Sequence, residues 1–558
     1  MRHKTLLPLL SLLFLPFIPQ AQAWDWAQPL GSANSNTSVI NIRPYPGANM
    51  LVCGYFDGAS LSLGSHTLQN AGQSDGFVAI ADENGQYTWA ERVGGSGRDF
   101  VADAAAAPNG DFVIIGNFNS ISLNIGGFSL FNNGESDVFV AKFNQNGTVA
   151  WAKNIGGQQV DEVSQVAVDA NGNVYVAGQV RDKFTNFTMH TFLKKIDAAG
   201  NQIWEQKGTL QGNGMLQTTA LALDDEQDIY FCGSFNGTVS LGGAQLTCDT
   251  SSAAFMAKFS PSGSLMGTYL KPSVDKINGL RAHGGKLYAC AEKMNWGIGW
   301  GWPLSDSKIH VLQLDEDLNE IWHKSTGGGT PWQSLDIANG ISVDDSGNAY
   351  VTGYFFSDTL RFAGEAHPNL FNVDYYYPQI FVLKYAPNGN EIWAKTFGGI
   401  HEDEGTSILA FSDDKFCVGG NFESSPVSFG THTLQNTSPL ESMYVHLRPE
   451  RFVRKTVGFL ALFDKATSNT QPEPAIQSLA VFPNPATEQI TLRVKSAHNS
   501  PVSCQLSTTD GRLIRQTQYT GPIEEIRENV SGLAPGVYLV TVRTAEGVFL
   551  GKFVKHSY

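Results

Sequence analysis

Along most of the chain the apolar residues fall in short runs, β-branched and aromatic, separated by polar stretches rich in Asn, Asp and Gly. Such runs read as β-strands, because their side chains suit a pleated, half-buried surface and the residues between them suit turns. Asp169–Gly172 (DANG) and Asn144–Gly147 (NQNG) place Asn and Gly where tight hairpins need positive φ. Four strands make a unit: segments such as Val163–Asn171 and Asn173–Gly178 are the first and second, and segments such as Val138–Phe143 and Val149–Asn154 the third and fourth.

The pattern repeats. A short apolar strand ends in a small residue at Gly54, Gly116, Gly178, Gly233, Ala291, Gly353 and Gly420. A second string begins at Phe77, Phe139, Phe192, Phe255, His310, Phe381 and Phe459. A third carries Trp26, Trp89, Trp151, Trp204, Trp322 and Trp393, with Gly267 in the slot where one unit lacks tryptophan. The tryptophan series is shifted: its first member precedes the first complete unit, and none follows Phe459. An open solenoid caps its ends, whereas a ring needs a strand from one terminus to complete the sheet at the other. The expected fold is therefore all-β, a seven-bladed β-propeller over residues 24–466. Trp24–Leu30 (WDWAQPL) is expected to be the outer strand of a blade whose other strands lie around 405–464. The tryptophans are expected to be core residues between blades. Cys53, Cys232 and Cys290 occupy equivalent slots of different units, too far apart to bridge, and read as small buried hydrophobes, while the disulfide status of Cys248, Cys417 and Cys504 stays open.

Composition supports this reading: 58 Gly and 34 Phe with only 16% charged residues do not describe a disordered or coiled-coil chain. The net charge of −15 repels phosphate backbones and anionic lipid, so nucleic acid is not an expected partner. Arg2 to Lys4, the apolar run Leu6 to Pro19 and Ala21-Gln22-Ala23 make residues 1–23 a secretory signal peptide with an A-x-A cleavage site. That run is too short and too proline-broken to span a bilayer, and no other segment is expected to do so.

Residues 467–478, proline-containing and polar, read as a linker, and residues 479–558 as a small immunoglobulin-like β-sandwich. The string VDANGNVYVAG followed by FVAKFNQNGTVAWAKNIGG resembles the bacterial seven-bladed propeller repeat family, which implies a fold and no single activity. The tail resembles the C-terminal type A sorting domain of Bacteroidetes type IX secretion. The resemblance rests on Pro483-Asn484-Pro485, Asp510-Gly511, Pro535-Gly536 with Tyr538, and the terminal Lys552-Phe553-Val554-Lys555. It implies recognition by the type IX machinery, passage through periplasm and outer membrane, removal of the tail, and attachment to the cell surface or release.

No nucleophile elbow, phosphate loop or zinc spacing occurs in the repeats, and neither cofactor nor metal is expected. Asp344–Asn348 (DDSGN) lacks the alternating ligands of a calcium loop and reads as a turn. His401–Gly405 (HEDEG) clusters three carboxylates with an imidazole and reads as a solvated acidic loop. Loops leaving the second and fourth strands share one face of a propeller. That face is expected to carry Trp296, Trp300 and Trp302, together with Trp332, Tyr375, Tyr376 and Tyr377, as a candidate platform for a glycan or protein ligand. Leu447–Lys455 is a basic stretch in an acidic chain that reads equally as a docking patch or as salt-bridged to its neighbours. The expectation is a monomeric, non-catalytic binding or scaffold protein outside the cell; the alternative is a polysaccharide-acting hydrolase or lyase with acidic residues on propeller loops.

Overall fold

A computed structural model describes residues 24–556 except 32–34, 183, 185–187, 213, 300–301, 328–333, 370–376, 444–450, 466–475, 497–501, 509–512, 520–522 and 545–546. The described residues contain strands and no α-helix. Most belong to antiparallel meanders of four strands, in which the chain crosses from an inner to an outer strand by successive hairpins. The first meander is Thr37–Tyr45, Asn49–Phe56, Asp75–Ala81 and Tyr87–Val93. The second runs from Asp99–Ala106 to Val149–Asn154, the third from Val160–Val168 to Gln202–Gln211, and the fourth from Leu216–Leu223 to Leu265–Lys271. The third and fourth merge into one eight-stranded sheet, because Gln202–Gln211 also pairs with Ile229–Leu241. The fifth spans Lys276–His283 to Glu320–Thr326, and the sixth Ile337–Val343 to Glu391–Phe397. The last comprises Asp403–Ser412, Lys415–Phe422 and Val457–Asp464, with Trp24–Leu30 as its outer strand. In that ladder Trp26 stands opposite Leu462 and Pro29 opposite Phe459.

Each meander buries both faces against its neighbours. Leu51, Cys53 and Val78 of the first pack with Val101, Ile114 and Phe139 of the second. Leu409, Cys417 and Leu460 of the last pack with Ile42, Val52 and Phe77 of the first. Trp24 is 3% exposed and meets Phe397, Phe416, Phe429 and Phe463 edge-on at 5.0 to 5.8 Å. Such pairs contribute about 0.5–1.5 kcal/mol each beyond the area they bury.

Every inner strand carries a β-bulge at the same point, at Ile40, Ala102, Ser164, Thr219, Asn278, Asn339 and Thr406. A bulge turns an extra residue out of the ladder. Here several of these residues reach the next inner strand. Ser164 Oγ donates to Thr218 O at 3.0 Å, Asn278 Nδ2 to Ala338 O at 2.9 Å, Asn339 Nδ2 to Gly405 O at 3.0 Å and Thr406 Oγ1 to Val39 O at 2.8 Å.

The tryptophans are staples rather than fully sealed core. Trp151 is 8% exposed, but Trp26, Trp89, Trp204, Trp322 and Trp393 are only half-buried. Several indole N–H groups donate to a turn carbonyl of the following meander: Trp26 to Glu83 O, Trp151 to Ala198 O, Trp204 to Pro261 O and Trp322 to Pro387 O, at 3.0 to 3.2 Å. The ring then lies on that turn's glycine. A Cβ on Gly200 or Gly263 would come within 3.0 Å of Trp151 or Trp204, and both glycines have φ near +90°. The fourth meander has Gly267 in the tryptophan slot, and the next turn has Leu318 at φ 66° where its counterparts have glycine. Leu318 Cδ1 lies 3.6 Å from where a Gly267 Cβ would be, so the large and small partners have changed sides.

The strands written as loops in one place are longer than expected. Lys286–Gly299 and Trp302–Asp315 form one continuous hairpin with Gly299 opposite Trp302, so MNWGIGWGW lies largely in paired strand. Short hairpins also connect second to third strands, as Ser60–Leu63 with His66–Gln69 and Val427–Phe429 with His432–Leu434. Their inward leucines and phenylalanines are buried, which closes the outer flank. All six cysteines are free and buried.

In the tail, Ile476–Ser478, Gly547–Lys555, Gly536–Thr544, Val502–Thr508 and Leu513–Tyr519 form a five-stranded sheet. Val481–Phe482, Gln489–Ser496 and Ile523–Asn529 form a three-stranded one, and a shared core includes Ile490, Leu506, Val540 and Phe553. The stretch expected to be linker thus already contains a strand, because Ile476–Ser478 pairs in parallel with the last strand.

The exchange at Gly267 and Leu318 yields a test. Gly267→Trp alone is expected to destabilise by overpacking against Leu318, and Leu318→Gly alone by leaving a cavity. The double variant is expected to recover about 1–3 kcal/mol relative to the sum, measured by chemical denaturation.

Candidate functional site

One end of the meanders carries the connections from fourth strands into the next inner strand. A buried aspartate organises three of these in the same way. Asp99 accepts from Gly95 N, Asn119 N, Ser120 N and Ser120 Oγ at 2.5 to 3.2 Å. Asp403 repeats this with Gly399 N at 2.7 Å, Glu423 N at 3.2 Å, Ser424 N at 3.1 Å and Ser424 Oγ at 2.7 Å. Asp336 takes Phe356 N, Ser357 N and Ser357 Oγ at 2.8 to 3.1 Å. Each ties an entering loop to the end of the second strand of its own meander, satisfying amides that would otherwise be orphaned.

The acidic segment at His401–Gly405 is therefore not a solvated loop. Asp403 is 0% and His401 6% exposed, because the aspartate is consumed by the backbone around it. Burial pushes the Asp403 carboxyl up to about 7 even though the Ser424 hydroxyl and three amides oppose the shift. The same burial raises Asp99 and Asp161. Asp344 is likewise spent on its own turn. It accepts from Ser346 N, Asn348 N and Asn348 Nδ2 at 2.8 to 2.9 Å and from the Tyr350 hydroxyl at 3.0 Å, which is turn chemistry.

The residue directly after the small residue of each second strand sets the character of this face: Tyr55, Asn117, Gln179, Ser234, Glu292, Tyr354 and Asn421. Three of them are amides that bridge to the next inner strand. Asn117 Oδ1 accepts from Val163 N at 3.1 Å, Gln179 Oε1 from Thr218 N at 3.2 Å and Asn421 Oδ1 from Val39 N at 2.9 Å. Tyr354, like Tyr55, Ser234 and Glu292, is not an amide. Between the sixth and last meanders lies a cleft of about 190 Å³, lined by Tyr354, Phe356, Glu402, Glu404, Asn421 and Thr456 among others.

Tyr354 and Phe356 meet edge-on, with ring centroids 5.8 Å apart. Asn421 Nδ2 donates to Glu404 Oε1 at 2.9 Å and fixes that carboxyl beside the rings. Burial raises the Glu404 carboxyl, and the Glu402 carboxylate raises it further. Burial also raises the Tyr354 hydroxyl, assisted chiefly by Glu404. The cleft thus offers two aromatic rings and a positioned carboxyl that stays protonated to higher pH than a free glutamic acid. Such a set can stack on apolar faces and hydrogen-bond to hydroxyls. Among the described residues no group of three His, Cys, Asp or Glu is arranged to hold a metal.

Of the expected aromatic platform, Trp300, Trp332, Tyr375 and Tyr376 lie outside the described residues. Trp296 and Trp302 lie in the fifth meander's long hairpin, where Trp296 stands opposite Ser305. Tyr377 is half-buried, its ring edge-on to the His401 imidazole at 5.7 Å and its carbonyl accepting from Asn369 Nδ2 at 3.0 Å. Of the basic stretch Leu447–Lys455, residues 447–450 are outside the described set, and Arg451–Val453 pairs with Glu441–Met443. The cleft residues were missed, although a signal existed. The residue after each small-residue strand end is visible in the repeats, and so is the recurrence of Gly-Gly-x-x-x-Asp at 94–99, 156–161 and 398–403.

In the tail, Asn484 Nδ2 donates to Lys552 O at 3.2 Å, and Val554 N donates to Asn484 Oδ1 at 2.8 Å. The Pro483-Asn484-Pro485 turn is thereby tied to the terminal strand. Tyr538 stacks on buried Phe553 at 5.5 Å, and its hydroxyl donates to Ala534 O at 2.7 Å. Asp510 and Gly511 lie outside the described residues.

Comparison with known proteins agrees with both halves. Residues 480–556 match the family described as the secretion system C-terminal sorting domain, and residues 322–354 match the beta-propeller repeat. The second match runs from the outer strand of the fifth meander into the second strand of the sixth. An uncharacterised WD repeat-containing protein of Acanthamoeba polyphaga mimivirus is 24% identical over 193 residues, covering 27% of this chain and 14% of that protein. Among solved structures, a polysaccharide lyase described as an ulvan lyase is 11% identical with a TM-score of 0.38, covering 70% of this chain and 93% of its own. Drosophila semaphorin 2a is 8% identical with a TM-score of 0.36, covering 96% and 100%. Structural likenesses this loose bear on no residue and no activity. The chain carries β-propeller repeats and a type IX sorting domain, which directs it to export and to secretion or the cell surface. No described helix is long and apolar enough to cross a membrane.

The raised Asp403 carboxyl has a pH consequence. The folded protein keeps a proton there that the unfolded chain releases from about 3.8 upward, so stability from this group falls as pH rises toward about 7. Asp403→Asn is expected to lower stability at every pH, because an amide cannot accept all four donors, and to flatten the slope across that window. Thermal melts of both proteins from pH 4 to 8 read the difference.

Proposed function

We propose that the mature protein is a non-catalytic binding protein outside the cell, built on a seven-bladed β-propeller over residues 24–466 that Trp24–Leu30 closes. A linker would begin at residue 467, and an immunoglobulin-like sandwich at 479–558 would serve as the sorting domain. Its motif residues Pro483 to Pro485, Asp510, Gly511, Pro535, Gly536, Tyr538 and Lys552 to Lys555 are what the secretion machinery reads. The pairing of Trp24–Leu30 with Val457–Asp464, and the Thr406 and Asn421 bonds to Val39, support closure. Deleting Trp24–Leu30 is expected to expose the Phe459 strand edge and produce oligomers on size-exclusion chromatography; a stable monomer would count against a ring.

The single observation that carries the binding reading is the cleft lined by Tyr354, Phe356, Glu404 and Asn421. Its ligand is a neutral glycan: Tyr354 and Phe356 stack on a sugar face while Glu404 and Asn421 meet its hydroxyls. The aromatic residues Trp296, Trp300, Trp302, Trp332, Tyr375, Tyr376 and Tyr377 are proposed to contribute to binding the same ligand. Screening the exported protein on a glycan array is expected to find a ligand that Tyr354→Ala weakens at least tenfold and that is recovered intact. Chain cleavage of the bound glycan would instead make the protein a polysaccharide hydrolase or lyase.

A further inference from the structure

Two histidines stand where four other meanders place phenylalanine and alanine. His310 begins the third-strand string of the fifth meander, and the other six carry Phe77, Phe139, Phe192, Phe255, Phe381 and Phe459 at that position. His323 directly follows the tryptophan of the outer strand and stands opposite Leu312, two residues beyond His310. The same diagonal holds Phe77 with Ala90, Phe139 with Ala152, Phe381 with Ala394 and Phe459 with Ala27. In the fifth meander the two rings meet: Nδ1 of His310 lies 2.8 Å from Nε2 of His323, with ring centroids 5.0 Å apart.

The pair sits at the seam with the fourth meander. Leu312 and Leu314, on the same face of the strand as His310, pack with Tyr230 and Met256 of that meander. His310 is 8% exposed, and its other ring nitrogen, Nε2, is sealed from solvent with no hydrogen-bond partner. The charged groups that face the pair are Lys271 from the fourth meander and Lys293, Lys308 and Glu320 from the fifth. Lys271 Nζ and the Tyr269 hydroxyl both donate to Glu320 Oε2, and Lys293 Nζ is paired with Asp275 Oδ1 at 2.6 Å. The carboxylates at this seam are thus committed to ammonium and hydroxyl groups rather than to an imidazole. Burial pulls the His310 imidazole down to about 4, with His323 and the three lysines adding to the effect, and burial lowers His323 as well. A metal cation would meet the same ammonium groups, and among the described residues no third His, Cys, Asp or Glu is placed to ligate one.

One proton lies between the facing nitrogens, so one ring donates and the other accepts. A further proton can be taken up with that bond kept. With a second, both facing nitrogens carry hydrogen, the bond is lost, and two like charges stand side by side in a desolvated seam. We propose that the His310–His323 pair is an acid-sensitive latch, which holds the fourth and fifth meanders together while neutral and drives their seam apart once both rings are protonated. The Phe–Ala pairs at the corresponding places take up no proton, so the response is confined to this seam. The folded protein protonates His310 only near pH 4, whereas the unfolded chain does so from about 6.5. Stability that is present above pH 6.5 is therefore lost as pH falls through that interval.

The test compares melting temperatures of the full chain with those of the double variant His310→Phe/His323→Ala, which installs the pair that four other meanders use, from pH 7 down to pH 4. The wild type is expected to lose about 3–5 °C relative to the variant over that range. Asp403 and the other carboxylates are common to both proteins and cancel in the difference. A difference that stays constant with pH overturns the latch. Hydrogen exchange on the wild type reads the seam without any substitution. After correction for the intrinsic pH dependence, Leu265–Lys271 and residues 309–315 are expected to exchange at least twofold faster at pH 4 than at pH 7. Asp137–Phe143, whose Phe139 takes the position of His310, is expected to keep its rate. An equal change in both regions, or none in either, overturns the proposal.

Discussion

Each meander has two apolar faces, and neither can be buried without a neighbour. That constraint governs most of what the chain does. It explains why clusters of buried side chains join one meander to the next instead of staying inside one, and why Leu409 and Leu460 near the end of the repeats share a core with Ile42 and Phe77 near their beginning. It also explains the investment of an N-terminal strand in the last meander. Trp24 fills a pocket of four phenylalanines that would otherwise meet water. The apolar term is non-directional, so polar bonds must set the angle between meanders. The bulge residues and the amides at Asn117, Gln179 and Asn421 provide those bonds along the inner strands.

The tryptophan and the turn glycine of adjacent meanders form one interaction written in two distant places in the chain. Indole needs a flat partner and a hydrogen-bond acceptor, and a glycine turn offers both. Gly267 and Leu318 show that the volume, not the residue type, is conserved across the joint: the ring is missing from one side and a leucine fills in from the other. Beside Tyr354 the recurring Asp403 and Asn421 meet Phe356, Glu402 and Glu404 in a cleft between the sixth and last meanders.

Much of the fold was legible because it is repeated. Strand runs, turn glycines, the tryptophan slots and the displaced first strand could all be read from spacing, and Gly267 was visible as an exception before its partner was known. The sorting tail was legible for a different reason, as a set of ordered short motifs. The site was legible only in part. Polarity alone made His401–Gly405 look like an open acidic loop, since spacing says nothing of how many backbone amides converge on Asp403. MNWGIGWGW looked like a loop because it falls between the second and third strands of its unit, yet both sides find partners in one hairpin.

What the sequence determined by itself is local and periodic: which residues form strands, where turns fall, how many times the unit recurs, and which tail follows. These depend on side-chain shape and on neighbours a few positions away. Only the tertiary structure decided which polar groups are spent and which remain available. Asp103 is engaged by Arg43 from the preceding meander and by Val166 N from the following one, while Arg281 donates to Leu280 O on its own strand. Such balances join residues far apart in the chain, and desolvation by the surrounding strands sets their cost, which no local pattern encodes.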